Sequence, residues 1–160
     1  RARWDWLQIE RGQQVLSRAL EAGGGNDPYV LQARIAACHA GARRAEDTDW
    51  ARIAVLYAQL LQVMPSPVVA LNQVVAVSRS DGPFAAWGLL QPLLVDARLQ
   101  GYAPLQVVRG ELLLQPGRRD DAATALREAA ALTGNAREQS ALLVRAQLSG
   151  TEPFSTGQGR

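Results

Sequence analysis

Proline and glycine recur along this chain at intervals that leave room only for short helices. Gly23 to Gly25, Pro65 and Pro67, Gly82 and Pro83, Pro104, Pro116 and Gly117, and Gly134 cut its 160 residues into short pieces. Glycine continues a helix only at an entropic cost, and proline lacks a backbone donor and constrains the residue before it. The pieces between these stops are rich in helix formers. The chain holds 27 Ala and 22 Leu, and all 17 basic side chains are arginine. Alanine, leucine and arginine sit at the helix-favouring end of the propensity scale, while β-branched and aromatic residues are sparse outside one valine run. The expected fold class is all-α.

Eight helical segments follow from this punctuation. The first spans 4–22 and ends at the three glycines. The second opens at Pro28, with Asp27 as its side-chain cap, and runs to about Ala40. The third has the clearest stripe, with Trp50, Ile53, Ala54, Tyr57, Leu60, Leu61 and Met64 recurring at helical spacing. The fourth, Val68 to about Arg79, carries valines with little polar relief, and periodicity alone leaves it a buried strand or a helix; its length and its neighbours favour the helix. A turn at Asp81–Gly82–Pro83 leads into the fifth, where Pro92 is expected to kink or end the helix. The sixth spans 104–115 and closes at Pro116. The seventh spans 120–132, capped by Asp120 or Asp121. The eighth spans 136–148, and residues 149–160 are expected to form a flexible tail.

A repeat of about 34 residues underlies the stops. In a unit starting at Ala103, Gly110, Leu113, Ala122, Leu126, Ala129 and Gly134 fall at positions 8, 11, 20, 24, 27 and 32, the tetratricopeptide signature positions. Small residues at 8 and 20 let paired helices approach, the bulky residue at 24 fills the gap to the next unit, and 32 is the turn. A unit starting at Arg34 puts Tyr57 at 24 and Pro65 at 32. One starting at Val68 puts Trp87 at 20, where a small residue is expected. The expectation is one domain over 1–148, with units at about 4–33, 34–67, 68–102 and 103–136 and a capping helix at 136–148. These would stack as antiparallel hairpins into a short, right-handed, tetratricopeptide-like solenoid with a concave, protein-binding face. A plain helical bundle is the alternative.

Charge and cysteine usage narrow the function classes. The formal net charge is +2, with no run of five like charges, which does not suit direct DNA binding. No apolar stretch is long enough to span a membrane. One cysteine allows neither an internal disulfide nor a cysteine-based zinc cluster, so a cytoplasmic setting is expected. Cys38 and His39 are adjacent on a helix and point about 100° apart, which prevents a nucleophile–base dyad. Glu46, Asp47 and Asp49 lack the glycine and distal glutamate of a calcium loop. The reading is therefore no enzyme, no metal and no cofactor. The candidate interaction groove is Asn72, Arg79, His39 and Glu111. Asn72 offers a donor and an acceptor to a peptide backbone, or bonds a neighbouring unit, and Arg79 on the same helix suits a carboxylate.

Four strings and a hairpin carry a further resemblance: YVLQARIAACHA (29–40), EDTDWARIAVLY (46–57), PSPVVALNQVVAV (65–77), DGPFAAW (81–87), and the hairpin at 109–135. Over roughly 4–148 the chain resembles the C-terminal extension of a group of bacterial extracytoplasmic-function sigma factors, with Asp47, Thr48, Asp49 and Trp50 as motif residues. It departs from that family at Gln73, where arginine is usual, and at Pro92 and Pro116. The resemblance implies a regulatory part of a sigma factor that contacts the promoter-binding sigma domains, the RNA polymerase core or a regulatory protein. A free-standing peptide-binding adaptor of the same fold is the alternative. With Arg1 first in place of methionine, the chain is expected to be a fragment of a longer intracellular protein.

Overall fold

The computed structural model describes residues 6–114 and 117–150. Its helices are α1 (Trp6–Glu21), α2 (Pro28–Gly41), α3 (Trp50–Val63), α4 (Pro67–Ser80), α5 (Pro83–Leu94), α6 (Ala103–Leu114), α7 (Arg119–Leu132) and α8 (Ala136–Gly150). No strand occurs among the described residues, and the valine run is helix α4. Pro116, expected to close the sixth helix, lies outside the described residues, as do positions 4 and 5 of the first expected helix and the tail from 151 onward.

The helix ends follow from local chemistry. The Asp27 carboxylate accepts from the Tyr29 and Val30 amides at 2.8 and 3.1 Å, with Pro28 in the first turn. Between α1 and α2 the glycines form a 3-10 turn, Gly24–Asn26, entered through Gly23 at φ 87°. A side chain at Gly24 would stand 2.9 Å from the Ala19 carbonyl, so two of the three glycines are required by geometry. Asp49 caps α3 by accepting from the Arg52 amide at 2.9 Å.

Three expectations are corrected. Helix α5 does not end at Pro92 but continues to Leu94. Pro92 and the residue four before it, Gly88, are both exposed, so the carbonyl that loses its rung can be hydrated. Helix α7 is not capped by Asp120 or Asp121; Arg118 stands at its N-cap without a capping bond to the helix amides, its Nε donating instead to the Asp121 carboxylate at 2.8 Å, and the two acids lie in the first turn, where they favour the positive helix end. Ser149 and Gly150, assigned to the tail, belong to α8, and Ser149 is buried with its hydroxyl donating to the Arg145 carbonyl at 2.7 Å. The cap of α8 is Asn135, whose side chain accepts from the Arg137 and Glu138 amides at 3.0 and 3.3 Å.

The chain forms two compact units, Arg1–Leu89 and Leu90–Arg160, and the division falls inside α5. In the first, α1 packs on α2, α2 on α3 and α3 on α4. Leu31, Ile35, Ile53, Leu56, Leu60 and Val69 form its buried core, with Trp50, Tyr57, Leu61 and Met64 packed against it. In the second, α6 packs on α7 and α7 on α8, around Leu126, Ala129, Ala130, Leu142 and Ala146. Connections such as Met64–Ser66 and Thr133–Asn135 are too short to do anything but reverse direction. The architecture is all-α, built of antiparallel helical hairpins packed in sequence order.

The α6–α7 hairpin shows why small residues recur. A Cβ on Gly110 would meet Leu126 Cγ at 3.0 Å and the Ala122 carbonyl oxygen at 3.3 Å. Positions 8, 20 and 24 of that unit thus meet at one crossing point. The mismatch at Trp87 is a slip of one residue. Ala86, completely buried, is the fourth residue of α5 as Ala122 is of α7, and Trp87 next to it is half-buried. Helix α2 opens at Pro28, ahead of the unit start expected at Arg34, because the connection at 42–49 is long.

Two outcomes are expected. Gly110→Val should destabilise the second unit by about 1–3 kcal/mol, because an inserted side chain forces the paired helices apart. Asn135→Ala should cost about 1 kcal/mol through loss of the α8 cap. Urea unfolding followed by circular dichroism checks both, and an unchanged midpoint for Gly110→Val would show that the crossing relaxes freely.

Candidate functional site

Helix α2 presents two different faces to two different clefts. Residues 32, 35, 36 and 39 recur at helical spacing and line one, while 34, 37 and 38 line the other. The first cleft has a volume of about 360 Å³ and is bounded by α2, α3 and α4. Its floor is apolar: Ile35, Leu60 and Val69 are buried there, with half-buried Met64 beside them. Its polar groups are His39, Tyr57, Asn72 and Gln32. Burial raises the Tyr57 pKa above the usual phenol range, so its hydroxyl stays a donor at neutral pH.

His39 and Asn72, two of the four groove candidates, therefore share one cleft. Asn72 is exposed at its edge and not a buried amide, so its donor and acceptor are open to solvent. His39 is half-buried and stands edge-on to Trp50, with ring centroids 5.3 Å apart at 75°. Arg79 is exposed in the last turn of α4 and does not line this cleft. Glu111 belongs to the second unit, where its carboxylate accepts from Arg145 at 2.8 Å and ties α6 to α8.

The string Asp47–Trp50 opens α3. Asp47 accepts from the Arg44 amide at 3.3 Å, Thr48 is buried, Asp49 caps the helix and Trp50 packs on the core. Capping and packing thus account for these four residue types. Sequence reasoning missed Gln32, Tyr57 and Met64 as cleft residues. Tyr57 and Met64 were legible only as part of the apolar stripe of α3, and a stripe does not tell its floor from its rim.

Cys38 lines the other face of α2. Burial is the main influence on its thiol and raises its pKa, the nearby Asp49 acts in the same direction, and the guanidiniums of Arg52 and Arg34 oppose them. Cys38 and His39 thus face different clefts. Among the described residues, no group of three or more His, Cys, Asp and Glu side chains is placed to hold a metal ion. Among the same residues, no helix is long and apolar enough to cross a membrane.

Comparison with known proteins adds one relative. An uncharacterized protein of Rhizobium meliloti (strain 1021) is 50% identical over 121 residues, 76% of this chain. The chain spans 28% of that relative's length. No family model matches the chain. No solved structure matches it either.

The raised thiol pKa has a measurable consequence. Cys38 should alkylate more slowly than a free cysteine at pH 8, and its pH–rate profile should have its midpoint above that of the free amino acid, because less thiolate is present at any given pH. A midpoint at or below that of free cysteine would show that the two arginines outweigh burial.

Proposed function

We propose that this chain is a protein-interaction domain of an extracytoplasmic-function sigma factor, regulating transcription initiation through contacts with the sigma domains, the polymerase core or a regulator. The observation that carries the interaction half of the reading is the cleft between α2, α3 and α4. It has an apolar floor that can take a side chain, and amides and a phenol at its polar margin that can pair with a polypeptide backbone. Asn72 and Gln32 are exposed, which lets them meet a partner without rearranging the core. The sigma-factor half rests on the resemblance of the strings at 29–40, 46–57, 65–77 and 81–87. A relative in which the matching region is a minor part of a longer bacterial chain is in keeping with a domain that serves a larger protein.

The contribution of the cleft is testable with exposed residues alone, so folding is not at stake. The purified chain, immobilised, should bind a sigma fragment carrying both promoter-binding domains, or core polymerase. Asn72→Ala and Gln32→Ala should each weaken that binding about fivefold, the loss of one net hydrogen bond of roughly 1 kcal/mol. Absence of binding to either partner would sink the sigma-factor reading, and binding untouched by both substitutions would remove the cleft from it.

A further inference from the structure

The opposite face of α2 closes a second cleft against α1 and α3, of about 320 Å³. Its charged liners are Arg34 from α2 and Arg52 from α3, and no carboxylate lines it among the described residues. Gln13 and Ser17 of α1 and the Cys38 thiol complete its polar surface. The Nε of Arg34 is out of contact with solvent and has no hydrogen-bond partner. Neither Arg34 nor Arg52 is among the arginines that pair with an acid in the described residues. Asp47 and Asp49 line the adjoining cleft, which Arg52 and Cys38 also border, and accept from the Arg44 and Arg52 backbone amides.

Two guanidiniums lining one cleft repel each other, and a donor withdrawn from water without an acceptor costs free energy. Both costs are relieved by an anion between them. A single carboxylate cancels one charge, whereas a phosphate monoester carries about −1.5 to −2 at neutral pH and offers three oxygens to planar donor forks. We propose that the cleft between α1, α2 and α3 binds a phosphate group, held between Arg34 and Arg52. This site lies on the other side of α2 from the polypeptide cleft and does not depend on it.

Cys38, the chain's single cysteine, reports occupancy. A bound phosphate covers the thiol and neutralises the two cations that favour its thiolate, so alkylation should slow. The 160-residue chain is treated with iodoacetamide at pH 8 and constant ionic strength, with added inorganic phosphate, glycerol 3-phosphate, succinate or chloride. Inorganic phosphate or glycerol 3-phosphate should slow the reaction about fivefold or more, with a saturating concentration dependence. Saturation should be lost in Arg34→Gln and in Arg52→Gln; Arg52 is exposed, so its variant keeps the test valid should Arg34→Gln fail to fold. A stronger effect of glycerol 3-phosphate identifies a phosphorylated small molecule as the source, and equal effects identify free phosphate; either supports the site. A non-saturating effect matched by chloride, an equal effect of succinate, or a response retained in Arg52→Gln would overturn the proposal.

Discussion

Helix α3 is clamped between α2 and α4, and the first unit depends on that clamp. Ile53, Leu56 and Leu60 are almost completely buried, each contributing about 1.5–3 kcal/mol relative to exposure. A two-helix hairpin alone buries only one stripe on each member. Covering α3 from both sides lets its stripe serve two neighbours at once. That arrangement leaves seams along the edges of α3, and the polypeptide and arginine-lined clefts lie on them. The seam shared by α2 and α4 holds Tyr57 and Met64; the seam facing α1 holds Arg52.

The second unit meets the same need with smaller side chains. Five of the buried residues of α7 are alanine, and Gly110 opposite them has no side chain at all. Leu126 then reaches past the crossing point to the Leu142 and Ala146 of α8. The alanine content of the chain is thus partly a packing requirement. Where two backbones come this close, volume is what excludes other residues.

The helix count and most helix ends were legible because stops act locally. Pro28, Pro65, Pro67 and Gly82 impose their geometry whatever surrounds them, and Asp27 and Asp49 cap through bonds that span only two or three residues. Pro92 misled because its cost depends on whether the freed carbonyl meets water, and that depends on the tertiary fold. Asp120 and Asp121 misled because a cap and a first-turn acid differ only by a register shift of two or three residues. Of the candidate site, His39 and Asn72 were legible as polar residues on apolar helices. The Arg34–Arg52 pairing left no local signal, since it arises only when α2 and α3 are laid side by side.

Packing in sequence order bears on how the molecule reaches this state. Within each unit, α1 to α4 and α6 to α8 contact the helix before or after them, so the chain closes only short loops as each hairpin forms. Loop-closure entropy then grows little from one step to the next, and low contact order goes with rapid folding. In such a chain a hairpin like α6–α7 can nucleate structure before distant segments have been ordered. Structure then spreads from neighbour to neighbour along the chain.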